Sequence, residues 1–180
     1  MLALSKRFLP ALRKLRLTDW VAFVLLAVYV ATFSWMAIRQ HAGFRTQALD
    51  LAKFDQAIWN TARGHPFRIT LIQSSVIQSH FSPSLALYAP LYWLWDDVRL
   101  LFVAQSICLG GAGFLVYWFF RRDAPWLGLV VYAAYLMHPS LHHVNLIEFR
   151  RVTIAVLASS FALYHMLRRR YVWMLVGLSI

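Results

Sequence analysis

The sequence predicts an all-α membrane protein with about four transmembrane helices plus the start of a fifth, and a first outer loop holding two juxtamembrane helices. Composition, the lengths of the apolar runs and the placement of the basic residues each point there. Of 180 residues, 61% are hydrophobic and only 14% charged, with a mean hydropathy of +0.57. A soluble domain of this size must turn much of its surface to water and cannot hide that much apolar area. Eight tryptophans suit the membrane–water boundary, where ring and polar tip are both satisfied. The net charge of +11 stands beside apolar runs, so membrane lipid with anionic headgroups is the expected partner and nucleic acid is not. The single cysteine, Cys108, excludes a disulfide within the chain.

Lys6, Arg7, Arg13, Lys14 and Arg16 form a basic lead. The apolar run Trp20–Ile38 that follows has about the 20 residues needed to cross a bilayer and no clean cleavage site, so it reads as an uncleaved first helix. Leu100–Phe120 is long enough to span. Pro125 to about Leu141 can span, with Pro125 in the first turn, where its missing N–H costs little. Val152–Leu167 is a slightly short fourth span, and Tyr171–Ile180 begins a fifth. Pro83–Trp95 would reach only about 20 Å as a helix, short of a roughly 30 Å hydrocarbon core. Pro90 also interrupts it.

If Pro83–Trp95 does not cross, the N-terminal lead, Arg121–Arg122 and Arg168–Arg170 share one side, as the positive-inside rule prefers. The expected localisation is the cell membrane, multi-pass, with a cytoplasmic N-terminus and an outer loop over residues 39–99. Arg150 and Arg151 dissent, falling outside in a short turn near His138–Arg151. Residues 1–180 read as one transmembrane domain. Because Tyr171–Ile180 is about half a span, the chain is expected to be the N-terminal part of a larger protein or a truncated gene product.

Within the outer loop, Asp50–Arg63 is amphipathic. Leu51, Phe54, Ile58 and Ala62 form one stripe, with Lys53, Gln56 and Asn60 opposite and Gly64 just past the last turn. Such a helix lies along the membrane. Pro83–Trp95 would be the second flat segment. Gly110, Gly111 and Gly113 are read as a helix-packing face. Asp19 and Asp123 sit at cytoplasmic helix starts, where the dipole favours them, and are assigned no function.

The stretch Ala48–Phe67, ALDLAKFDQAIWNTARGHPF, resembles the signature of the domain of unknown function 2079 family of predicted prokaryotic membrane proteins. His80–Trp95, HFSPSLALYAPLYWLW, and Leu100–Gln105 resemble that family's later motifs. In the second outer turn the family's Asp-Phe-His-Pro-like motif reads Glu148-Phe149-Arg150-Arg151 here. The acid is kept in type and the histidine is lost. The family is itself distantly similar to C-type (GT-C) glycosyltransferases that use polyprenyl-phosphate sugars. Those enzymes have two juxtamembrane helices in the first outer loop and a catalytic acid early in it. The resemblance therefore implies a glycosyltransferase taking a lipid-linked sugar.

Transfer with inversion needs a base for the acceptor hydroxyl, and a carboxylate suits that task. Of seven acids, Asp50, Asp55, Asp96, Asp97 and Glu148 fall on the outer side. Asp50, Asp55 and Glu148 are the catalytic candidates. Asp50 could equally be a helix N-cap. Asp55, at the edge of the apolar stripe, must be paired or functional, with Arg45, Arg63 and His80 as candidate partners. Asp96 and Asp97 are expected to end the flat segment in solvent, and Glu148 to form a surface ion pair with Arg150. Arg45 and Arg68 are candidates for a lipid-linked phosphate. His80, Gln56 and Asn60, all inside the motifs, complete the substrate-binding set. His138, His142 and His143 cluster and with Glu148 could hold a divalent metal, His138 and His142 sharing a helix face, but the spacing is unspecific and neither metal nor cofactor is assigned.

Two alternatives stay open beside the enzyme: a non-catalytic or degenerate membrane protein, and a transporter. Transporters place polar groups at mid-bilayer. Here the spans hold few polar groups, among them Gln105, Ser106, Ser159 and Ser160, and no Asp, Glu, Lys or Arg, which counts against transport.

Overall fold

The computed structural model describes residues 15–46, 48–70 and 82–180. Among these residues there are eight helices and no strand. They are α1 (Leu17–Ala42), α2 (Ala48–Ala62), a 3₁₀ helix (Pro83–Trp93), α3 (Arg99–Phe120), α4 (Pro125–Leu136), α5 (Pro139–Ile147), α6 (Thr153–Leu167) and α7 (Tyr171–Leu178). Two of them, α1 and α3, are long and apolar enough to cross a membrane; α4 and α6 are apolar but shorter. The outward faces of α1, α4 and α7 expose Trp20, Val28, Trp126, Val130, Val172 and Leu175. An apolar surface of that extent is the mark of a chain that meets lipid or another apolar partner.

Helix α3 is the axis of the bundle, packing against α1, α4 and α6, while α7 packs on α6. Small residues bring the helices together, as the sequence predicts for the glycines of Leu100–Phe120. A Cβ on Gly110 would come within 2.8 Å of Leu26 Cδ1, and one on Gly113 would collide with the Tyr135 ring. Gly177 does the same for the last pair, since a Cβ there would meet Ala158 O at 2.9 Å.

Side-chain contacts fix the helix directions. Asp19, at the start of α1, holds Arg121, just past the end of α3, so the two run antiparallel. Gln105 in the first half of α3 reaches the segment before α6, and Arg168 after α6 reaches Phe119 near the end of α3, so α3 and α6 run parallel. Arg16, Arg121–Arg122 and Arg168–Arg170 thereby collect at one end of the bundle. Helix α2 and the 3₁₀ helix pack together at the other end.

Helix α2 buries the stripe expected of it. Leu51 and Ile58 join Leu85, Tyr88 and Tyr92 of the 3₁₀ helix, Leu101 and Phe102 of α3, and Phe149 in one apolar cluster. Its C-terminus closes with Gly64 in the left-handed region at φ 83°, while the His65 and Gly64 N–H groups donate to Asn60 O and Thr61 O. A second cluster, built from Ala22, Tyr29, Leu109, Tyr117, Leu129 and Tyr132, lies within α1, α3 and α4.

Several expectations need correction. The third apolar helix stops at Leu136, not near Leu141, because Pro139 cannot continue it and instead starts α5, so the turn near His138–Arg151 is largely helical. His138 therefore caps α5, its Nδ1 accepting from Ser140 N at 3.3 Å, and does not share a helical face with His142. Asp50 is not an N-cap, since α2 begins at Ala48 and places it inside the first turn. Asn60 is buried, not on an exposed polar face. Glu148 pairs with Arg150 at 2.9 Å as expected, but its side chain is only 2% exposed, because Phe149 pulls this segment into the first cluster. Asp19 is more than a dipole partner. Fully buried, it accepts from Tyr117 Oη, Arg121 Nε and Nη2, and Arg16 N.

Candidate functional site

The site forms where α1 ends, α2 passes and α3 begins. The chain leaves α1 through a left-handed residue, Phe44 at φ 54°, while Arg45 N donates to Gln40 O at 2.9 Å. This reversal leaves Phe44 97% exposed beside a cavity of about 660 Å³, lined with it by His41, Thr46, Leu51, Asp55 and Val98. A second opening of about 460 Å³ shares His41, Asp55 and Val98 and adds Asp97 and Arg99. Cavities of this volume, apolar with a few converging polar groups, are where small-molecule ligands bind.

Asp55 is the polar centre of the cavity. Tyr92 Oη donates to its Oδ1 at 2.5 Å. Burial pushes the Asp55 carboxyl above its ordinary range; the Tyr92 hydroxyl and His41 pull it back, and Asp97 and Asp96 push it further up. The Tyr92 phenol is itself pushed up by burial and by the carboxylate it faces, so it stays a neutral donor. Asp97 is held below the usual carboxylate range by Arg99, whose Nε, Nη2 and backbone N all donate to it. Two neighbouring acids are thus shifted in opposite directions, Asp97 toward the anion and Asp55 toward the neutral acid. On the rim, His41 Nδ1 lies 3.2 Å from Thr46 Oγ1.

The other candidates are placed differently. Asp50 is half-exposed and pairs with Lys53 at 3.3 Å. Gln56 embraces Thr70, donating to its hydroxyl at 2.7 Å and accepting from its N–H at 2.9 Å. Asn60 Nδ2 donates to Arg68 O at 2.8 Å. These two amides hold residues 68–70 onto α2. The Arg45 and Arg68 side chains are exposed. Arg63 meets Asp96 at 2.6 Å and stacks over Trp59 at 3.6 Å, so it is not the partner of Asp55. His80 lies outside the described residues. Glu148, whose backbone O accepts from Gln105 of α3, has its Oε2 buried and unpartnered among the described residues. Among those residues no three His, Cys, Asp or Glu side chains converge as metal ligands.

Tyr92, His41 and Asp97 are the neighbours of Asp55 that sequence reasoning misses. Nothing in the local pattern at Tyr92 announces a partner on a helix 37 residues earlier. His41 reads as a polar helix end, and Asp97 as a solvated turn.

A helical bundle with two span-length apolar helices, capped at one end by a short amphipathic helix and a cavity holding a partly buried carboxylate, defines an α-helical membrane protein with an end-on site. The chain belongs to the DUF2079 family of predicted membrane proteins, whose model matches residues 40–180 and so takes in α2, the 3₁₀ helix and every residue lining the cavity. Comparison with curated proteins and with solved structures finds no match.

Proposed function

We propose that the chain is a multi-pass membrane glycosyltransferase unit of the GT-C kind, acting on a lipid-linked sugar at the outer membrane face, with Asp55 as general base. The observation that carries this reading is Asp55 itself: a partly buried carboxylate with a raised pKa, oriented by Tyr92, opening on a cavity of about 660 Å³. In the reaction the Asp55 carboxylate takes the proton of an acceptor hydroxyl. The freed oxygen forms a bond to the anomeric carbon, and that carbon's bond to phosphate oxygen breaks. The polyprenyl phosphate leaves with the electron pair. The apolar rim of Phe44, Leu51 and Val98 suits a ligand that arrives along the membrane.

The alternation of helix directions supports the topology. With the arginine-rich end in the cytoplasm, α1 runs outward, α3 inward, α4 outward and α6 inward, and α7 starts outward again. In that orientation the Asp55 cavity opens on the outer side. A transporter reading is weakened because Gln105 is fully used. Its Nε2 donates to Glu148 O at 2.9 Å and its Oε1 accepts from Arg150 N at 2.6 Å. One observation favours a non-catalytic role: the Asp55–Tyr92 bond ties α2 to the 3₁₀ helix and could be purely structural.

The test is release of polyprenyl phosphate from a polyprenyl-phosphate sugar, using the full chain in lipid and a lipid-extracted acceptor pool. Tyr92→Phe separates the two roles. A catalytic Asp55 keeps turnover with a displaced pH profile, whereas a merely structural bond changes stability alone.

A further inference from the structure

The opposite end of the bundle carries a second cavity. It measures about 130 Å³ and is lined by Trp118, Arg121, Arg122, Tyr164, Arg168 and Arg170. That is several times the space one water occupies. Four guanidinium-bearing side chains thus converge on one small hollow between the end of α3 and the α6–α7 turn.

Their own contacts explain only part of this charge. Arg121 is neutralised by Asp19 and stacks on Trp118 at 4.4 Å. Arg168 Nη2 donates to Phe119 O at 2.9 Å, yet its Nε is buried and has no partner among the described residues. Arg122 and Arg170 make no ion pair among those residues. The nearby carbonyl ends of α3, which would repel an anion, are already taken: Phe119 O by Arg168, and Arg121 O by Arg16 Nη1 at 2.8 Å. What remains is a hollow walled in part by Trp118 and Tyr164 with an excess of planar, fork-shaped guanidinium donors, the chemistry that holds phosphate oxygens.

We propose that this pocket binds a phosphate group, the chemistry shared by anionic phospholipid headgroups and soluble phosphates. The bound anion offsets the repulsion among Arg122, Arg168 and Arg170 and clamps the α6–α7 turn to the end of α3. Basic pockets between membrane helices bind lipid headgroups in this manner.

The experiment uses the full chain in detergent and native mass spectrometry, with dioleoylphosphatidylglycerol, dioleoylphosphatidylcholine and inorganic phosphate as separate probes. The anionic phosphatidylglycerol should bind in preference to the zwitterionic phosphatidylcholine. Arg170→Gln should weaken it about fivefold, and Arg122→Gln with Arg170→Gln about 25-fold, from a contribution of roughly one such factor per arginine near the headgroup. Arg169→Gln, one position away and outside the lining, should change binding less than about twofold on the same reasoning. Binding of inorganic phosphate with the same losses also supports the pocket and assigns it to a soluble anion. Absence of binding preference in both arms overturns the proposal. So does an Arg169→Gln loss as large as that of Arg170→Gln, which would reduce the effect to diffuse surface charge.

Discussion

Asp19 is the heaviest single polar commitment in the bundle, and replacing it with alanine should loosen the contact between α1 and α3 throughout. The carboxylate is fully buried and accepts from Arg121 at 2.6 and 2.8 Å, from Tyr117 Oη and from Arg16 N. Removing one partner of a buried pair costs about 3–5 kcal/mol. Arg121 keeps a quarter of its side chain exposed and its stack on Trp118, so water recovers part of its solvation and the low end applies, about 3 kcal/mol. That is about a hundredfold in the open population. Cys108, the chain's single cysteine, is buried on α3 against Tyr88 of the 3₁₀ helix, so it becomes labelled only when the bundle opens as a whole and reads the overall loss of stability. Its labelling by a maleimide fluorophore in detergent should accelerate about a hundredfold in Asp19→Ala. The acceleration should be smaller in Asp19→Asn, which keeps an acceptor for Tyr117. Adding Arg121→Gln to Asp19→Ala should cost little more, since the charge left unpaired is then gone. A rate change under about threefold, or strict additivity of the two losses, would refute the assignment of Asp19 as the anchor.

Three further outcomes follow from the same geometry. Gly177→Ala should cost about 1–3 kcal/mol by forcing α7 off Ala158 and Ala162, read as earlier Cys108 labelling on heating; unchanged labelling counts against the close α6–α7 contact. Because burial raises the Asp55 pKa, catalysis should fall on acidification at a pH above the ordinary carboxylate range. Tyr92→Phe removes a bond that lowers that pKa and should move the acid limb higher, while a limb left in place argues against Asp55 as the titrating base. The sign for stability is the reverse. The folded state holds the Asp55 proton more tightly, so its contribution favours the fold below the raised pKa and declines as pH rises through it from the unfolded value. Reporter fusions at Gly64 and Asp97 should report the same, outer side, and opposite reports would mean that Pro83–Trp93 crosses.

Much of the architecture is written in local pattern. Leu51 and Ile58 recur at helical spacing and are buried on one face, and Gly64 ends α2 in the conformation glycine allows most readily. The basic residues that gather at one end, Arg16, Arg121 and Arg168, are legible because charge placement at helix ends follows the chain's alternation. The role of Pro139 is equally local, since a proline cannot continue the preceding helix and suits the first turn of the next. The site is less legible. Asp55 stands out as a carboxylate at the edge of an apolar stripe, but its Tyr92 partner and the His41–Asp97 rim are set by how α1, α2 and the 3₁₀ helix dock. Gln56 and Asn60 carry a specific motif, yet their hydrogen bonds go to Thr70 and Arg68 and hold a turn. Asp19 looks like a dipole residue until α3 supplies Tyr117 and Arg121 from about a hundred positions away.

The central claim rests on one carboxylate among several, so the most direct measurement compares Asp55→Asn with Asp50→Asn in the sugar-transfer assay. Both proteins should be matched for folded amount by Cys108 protection. Asparagine keeps the acceptor for Tyr92 but cannot take a proton, and loss of a general base costs typically about 10²–10⁴-fold in rate. Asp55→Asn should therefore lose at least about a hundredfold in transfer while remaining folded, and Asp50→Asn, whose carboxylate only meets Lys53, should stay within about twofold of the parent. Full transfer by Asp55→Asn, or equal loss in both variants, would contradict the account.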